Sequence, residues 1–380
     1  MKKLKLLLAS IMILTCLSPG AYAQDGNLKM SPEEAAERVS LSFMQNTLDP
    51  NVEISSTIPF YDLNNNVTAY CVSFELNGAP NGYVLISLLN MEMPIVEFAL
   101  EGNGIYDLIQ VPQNSRNSAT LTLPVIRYLG PGLLFVEDSV SNTLYNVETQ
   151  KSYSESQIKN STVSVPTMMN NVDIAKGILF WDDSDINLSS LEQIPSFGEG
   201  EDYWLLKDFD EDGNVCSPTC ATNILWYWAH QQGRMWCIKN MDTGGQGYFE
   251  AVDIFDEISA YMFTFPPLGT LNALVENAYI YFLTARTNVS NGEFNTRSLT
   301  DNNYADFTAA IDNDCPIHTM LRNENIFSTG HDVMTFGYGE SNRGVKYLFV
   351  MDGWYDYGRF VYFDYYPIVK GIKVWVGEDS

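Results

Sequence analysis

The chain has 380 residues, of which 46 % are hydrophobic and only 18 % charged, and its formal net charge is −26. That composition is globular rather than disordered, and the length suffices for two domains with cores of their own. The acidic balance argues against nucleic acid as a partner, since such proteins neutralise phosphates with lysine and arginine.

The N-terminus reads as a secretory signal. Lys2, Lys3 and Lys5 precede an apolar run over residues 6–17, and Ala21-Tyr22-Ala23 offers a small-residue cleavage site before Gln24. The run is too short to span a bilayer, and no later segment reaches the roughly 18 uninterrupted apolar residues that a span needs. Leu14-Thr15 is a poor lipidation context for Cys16. These features predict an exported protein with residues 1–23 removed and no membrane association afterwards. Cys71, Cys216, Cys220, Cys237 and Cys315 remain. An odd number of cysteines in an exported protein fits one reactive thiol, and no Cys/His cluster has zinc spacing.

Residues 24–150 form the first predicted domain. Ser31-Pro32-Glu33-Glu34 is a capping box with proline at the first helical position, and it opens a helix over 31–47 with Ala36, Val39 and Phe43 on one face. Tyr70, Val72, Phe74 and Leu76 alternate with Cys71, Ser73 and Glu75, which predicts a strand. A turn over 77–81 leads to a return strand over 82–87, and further strand-like runs cover 94–100, 119–128 and 132–137. This half reads as one helix on an antiparallel sheet and contains no histidine. Residues 151–200 are rich in Ser, Asn, Asp and Thr and read as a linker, with a short element at 178–181.

From residue 201 to 380 the pattern is helices first and strands later. The run Gly213-Asn214-Val215-Cys216-Ser217-Pro218-Thr219-Cys220 puts a cysteine at the start of an amphipathic helix. Ser217 suits the cap and Pro218 the first position, Ala221, Ile224, Leu225 and Trp228 make one buried stripe, and Gly233 suits the stop. Helices are predicted near 249–262, 269–283 and 303–313, and strands over 315–321, 331–338, 346–351, 359–364 and 368–376. A helical half facing an antiparallel sheet is an α+β architecture. The cleft between the two suits a helix-borne nucleophile and a strand-borne base.

The chemistry of such a pair explains the residue types. A thiolate is the nucleophile, and a helix N-terminus and a neighbouring imidazolium both favour it. Of three histidines, His331 follows Gly330 at the head of a strand, while His230 at a helix end and His318 in mid-strand read as structural. Asp352 ends the next strand, where a carboxylate can orient the imidazole, and Trp354 beyond it can shield that contact from water. Each residue also has a bland alternative: a small buried cysteine, a satisfied core histidine, an Asp-Gly turn. Asp208-Phe209-Asp210-Glu211-Asp212-Gly213-Asn214 has calcium-loop spacing, but Thr219 stands where the bidentate acid belongs, so a polar hairpin and no metal is expected.

The blocks Cys216-Ser217-Pro218-Thr219 with Ala221-Thr222-Asn223-Ile224-Leu225, Gly330-His331-Asp332-Val333-Met334, and Val350-Met351-Asp352-Gly353-Trp354 with Gly358-Arg359-Phe360 resemble those of a papain-like cysteine peptidase. The likeness is to the bacterial bacteriocin-processing-like and streptopain-like branches. The pattern at 70–74, 82–87 and 94–98 resembles the inhibitory propeptide of exported zymogens of that type. The resemblance implies a papain-like catalytic domain after a small prodomain of antiparallel sheet and helix. It implies Cys216 as nucleophile, His331 as general base and acid, Asp352 as orienting residue, no cofactor, a protein or peptide substrate, and the chain's own N-terminal domain as intramolecular inhibitor. Such peptidases usually carry a glutamine just before the cysteine as oxyanion donor. No glutamine lies between 201 and 230, and Asn214 is the nearest amide, so it is the oxyanion candidate. A catalytically inactive binding protein on the same scaffold, and a thiol acyltransferase or amidase with the same site, stay open as alternatives. Cys220, one turn after Cys216, is a core thiol, an oxidation-sensitive one, or a bridge partner that would silence the site.

Overall fold

The computed structural model describes residues 30–90, 92–108, 124–138, 143–147, 152–160, 171–179, 188–193, 215–264, 269–299, 303–321, 330–353, 355 and 357–378. The expected signal peptide, the acidic loop at 208–214 with Asn214, and Trp354 lie outside these residues.

The N-terminal half begins with helix α1 (Pro32–Thr47). The Ser31 hydroxyl accepts from the Glu34 N–H and the Glu34 carboxylate accepts from the Ser31 N–H, so the expected capping box forms. Strands β1 (Glu53–Tyr61), β2 (Val67–Leu76), β3 (Ala79–Ser87) and β4 (Ile95–Ala99) follow as an antiparallel meander. The β2–β3 turn is tighter than the predicted 77–81. Asn77 and Gly78 both hold positive φ (55° and 78°), the backbone of a two-residue hairpin turn. A short helix α2 (Ile105–Leu108) precedes β5 (Ile126–Tyr128), β6 (Leu134–Asp138), β7 (Thr143–Asn146) and β8 (Ser152–Ser154).

The stretch read as a linker contains regular secondary structure. It carries α3 (Glu155–Asn160), α4 (Asn171–Leu179) and β9 (Leu188–Gln193). Ile174, Ala175 and Ile178 of α4 are buried in the same core as Ala36, Val39 and Phe43 of α1. Composition misses this because a sparse apolar stripe among Ser and Asn becomes a core face only when another helix covers it.

The C-terminal half opens with α5 (Cys216–Trp226), prolonged by a π-helical turn over Tyr227–Gln231. Gly233, at φ 69°, follows where the stop was expected. Every residue from Ser217 to Trp226 is buried, so α5 is a core helix rather than an amphipathic one. It packs against the helix over Ala251–Met262 and the strand over His331–Ser341. Then come β10 (Lys239–Asn240), β11 (Gly247–Tyr248), α6 (Ala251–Met262), α7 (Asn272–Ser290), β12 (Phe294–Ser298) and α8 (Tyr304–Ile311). The last strands are β13 (Ile317–Leu321), β14 (His331–Ser341), β15 (Lys346–Met351), β16 (Arg359–Tyr362) and β17 (Ile368–Val376).

Among the described residues, one 15-stranded sheet runs through both halves, in the order β12-β17-β13-β14-β15-β16-β4-β3-β2-β1-β5-β6-β7-β8, with β9 paired to β14. The halves meet where β16 pairs antiparallel with β4, Phe360 opposite Phe98 and Val361 opposite Glu97. The Phe98 and Phe360 rings stack with centroids 4.6 Å apart, and Phe349 stacks on the far face of Phe360 at 4.2 Å. Val345, Tyr347 and Phe360 belong to the same buried cluster as α1 and β2–β4. The α+β reading of the chain therefore holds, as a mixed fold whose two halves share a sheet and a core.

Candidate active site

Cys216 is the first residue of α5 and is partly exposed. Val215 occupies the position before the helix and offers no side-chain cap. Ser217, expected as the cap, is instead inside the first turn, and its buried hydroxyl donates to Asp332 Oδ2. The reason is tertiary: an acid on β14 is a stronger acceptor for that hydroxyl than any use at the helix end.

His331 is the first residue of β14, opposite Leu321 of β13. Gly330 enters at φ 83°, and a Cβ there would stand 3.3 Å from the Leu321 carbonyl oxygen. This is left-handed backbone, which glycine adopts without a Cβ penalty. The His331 ring is buried. Burial and the Arg359 cation push its pKa down to about 3, against the Asp332 charge and a hydrogen bond to the backbone of Asp352, which both favour the protonated ring.

Asp352 follows β15 and is buried. Its Oδ1 accepts from the Tyr355 N–H at 3.3 Å, the turn contact that an Asp-Gly corner makes, and its Oδ2 lies 2.5 Å from Arg359 Nε. Arg359 Nη1 in turn lies 2.5 Å from Glu97 Oε2. Glu97, on β4 of the N-terminal half, also accepts from the Tyr83 and Tyr366 hydroxyls, the latter at 2.5 Å. Burial alone would push the Arg359 pKa down, but Glu97 and Asp352 outweigh it and hold the guanidinium well above its ordinary value. This buried cation is therefore permanently charged.

A second chain of polar groups runs behind Cys216. Asp332 Oδ2 lies 3.0 Å from His318 Nε2, and His318 Nδ1 lies 3.0 Å from the Tyr279 hydroxyl of α7. Cys220 sits against the same acid. Burial first, then the charges of Asp332 and Cys216, push its thiol well up, so Cys220 is a protonated core thiol at neutral pH. None of Cys71, Cys216, Cys220, Cys237 and Cys315 is in a disulfide, so the Cys216–Cys220 bridge does not form. Among the described residues no group of three or more His, Cys, Asp or Glu side chains is arranged to hold a metal ion.

Of the residues expected from sequence, His331 and Asp352 meet through ring and backbone, and Cys216 and His331 each stand one residue from the Ser217–Asp332 contact. Sequence reasoning did not single out Glu97, Arg359 or Asp332. Asp332 carried a usable signal, as a lone acid in the otherwise apolar start of a strand. Glu97 carried none, because its partner lies in the other half of the chain.

Residues 200–376 match the model of the Peptidase_C39 like family. That match supports a papain-like cysteine-peptidase kind for the C-terminal half, with protein or peptide substrates implied. No curated protein matches the chain.

Proposed function

We propose that the chain is an exported cysteine peptidase made as a low-activity precursor. Cys216 Sγ attacks the scissile carbonyl carbon, and the backbone N–H groups at the head of α5, with Asn214 before them, stabilise the oxyanion. His331 takes the thiol proton and passes it to the leaving amine, which departs as the thioester forms. Water, deprotonated by His331, then attacks the thioester, and the proton returns to the Cys216 sulfur.

The observation that carries this reading is the meeting of the two catalytic elements. The head of α5 and the head of β14 are joined by the Ser217–Asp332 hydrogen bond, inside the segment that matches the peptidase family. The precursor reading draws on Arg359. Its charge works against a protonated His331, and Glu97 of the N-terminal half helps to hold it there. A neutral, buried imidazole leaves Cys216 without the imidazolium that favours its thiolate. Export rests on the signal-like residues 1–23.

The test is hydrolysis of casein by the chain from residue 24 onward, before and after limited proteolysis between the halves. Activity is expected to rise on cleavage and to vanish in Cys216→Ala. Hydrolysis by Cys216→Ala at the wild-type rate would overturn the assignment.

A further inference from the structure

We propose that Asp332 is a positioning residue of this site, clasping the Cys216 helix to the His331 strand through Ser217. The inference rests on the peptidase reading of Cys216 and His331, and goes beyond it by giving this supporting role to an acid that neither the family match nor the expected Cys-His-Asp set names.

The geometry is specific. Asp332 immediately follows His331, and Ser217 immediately follows Cys216. A hydrogen bond between those two neighbours ties the first turn of α5 to the start of β14, one residue from each of Cys216 and His331. The contact is dry: Ser217 is 1 % exposed and Asp332 7 %. Charge-assisted hydrogen bonds of this kind are stronger than neutral ones, and more so where water is excluded. The Ser217 hydroxyl donates, so it is a clasp and not a second nucleophile.

The rest of the network holds the carboxylate in place. His318 and Tyr279, both fully buried, continue the chain from Asp332 through His318 Nε2 and Nδ1 to the Tyr279 hydroxyl. Asp332 Oδ2 meets both Ser217 and His318 Nε2, so one carboxylate links α5, β13 and β14. The groups facing Asp332 are Ser217 and Cys220 from α5, His318 from β13 and Tyr279 from α7. Asp332 from its own strand, the backbone of Asp352 after β15 and Arg359 from β16 all act on His331. Asp352 spends its Oδ2 on Arg359, whose own charge opposes protonation of the ring.

The test uses the chain from residue 24 onward and reads alkylation of Cys216 by iodoacetamide, resolved by mass spectrometry, across pH. Asp332→Asn removes the charge and keeps the shape. With the charge-assisted bond to Ser217 weakened, the head of α5 is held less firmly on β14, and Cys216 alkylation is expected to run severalfold slower than in wild type across the pH range. Ser217→Ala is expected to lower the Cys216 alkylation rate and kcat with little change in KM, and Ser217→Thr, which keeps the hydroxyl, to restore both. If Asp332→Asn fails to fold, the Ser217 pair decides by itself. A folded Asp332→Asn whose profile superposes on wild type, or a Ser217→Ala indistinguishable from Ser217→Thr, would overturn the clasp. Retained hydrolysis in Cys216→Ala would instead sink the peptidase reading, because alkylation is read without substrate.

Discussion

Glu97 and Asp352 hold the same guanidinium from opposite halves of the chain, each 2.5 Å from a different nitrogen of Arg359. The three groups are buried, so the cation and its two acids stand or fall together. Removing one member of such a set strands an uncompensated charge, which costs about 3–5 kcal/mol. Arg359→Met leaves two acids facing each other, whereas Glu97→Gln leaves Arg359 with Asp352 and leaves the amide able to accept from Tyr83 or Tyr366. The expected order of urea midpoints is wild type, then Glu97→Gln, then Arg359→Met. A Glu97→Gln midpoint at or below that of Arg359→Met would contradict this account of the network.

Phe98 carries the apolar side of the same junction. It is fully buried, edge-on to Phe43 and Tyr347, and stacked on Phe360. Phe98→Ala is expected to destabilise the chain by about 3–5 kcal/mol through the cavity it leaves. Because the ring belongs to a core drawn from both halves, the loss should appear as one cooperative transition shifted down. Calorimetry that showed only an N-terminal unit shifted, with a second transition unmoved, would speak against a shared core.

His331 makes a specific prediction about acid. Burial and Arg359 hold its folded pKa near 3, while an unfolded histidine titrates near its ordinary value of about 6.5. Between those values the unfolded chain carries the extra proton. Stability contributed by the neutral ring is therefore complete above about pH 6.5 and is lost progressively as pH falls towards 3, by about 1.4 kcal/mol per pH unit. His331→Gln removes this term. The stability difference between wild type and His331→Gln should shrink as pH is lowered through this window, measured by denaturant titration at each pH. A difference that stays constant from neutral pH to pH 4 would mean that the ring is not held neutral.

Gly330 is placed by its backbone. A side chain at φ 83° is strained, and the Leu321 carbonyl leaves little room for it. Gly330→Ala is expected to cost about 1–3 kcal/mol and to slow Cys216 alkylation by shifting the head of β14. Unchanged alkylation in a destabilised Gly330→Ala would mean that the His331 position is set elsewhere.

The elements that carry the candidate site were legible in the sequence because their signals are local. A cysteine before a helical stripe, Gly-His at a strand head and Asp-Gly at a strand end are each short patterns, and α5, β14 and β15 form where those patterns place them. The capping box of α1 forms for the same reason, both partners lying within one turn. Long-range pairing was not legible. Ser217 looked like a cap because its true acceptor is 115 positions away, and residues 151–200 looked like a linker because β9 finds its partner only in β14.

The sequence by itself determined which residues head the helix and the strands, since turn chemistry and apolar period act over a few residues. Only the tertiary structure decided which charges surround them. The sheet joins β4 to β16, and that pairing delivers Glu97 to Arg359, Arg359 to Asp352, and a lasting positive charge to the neighbourhood of His331. Electrostatics in a dry interior depends on distances that a linear pattern does not contain.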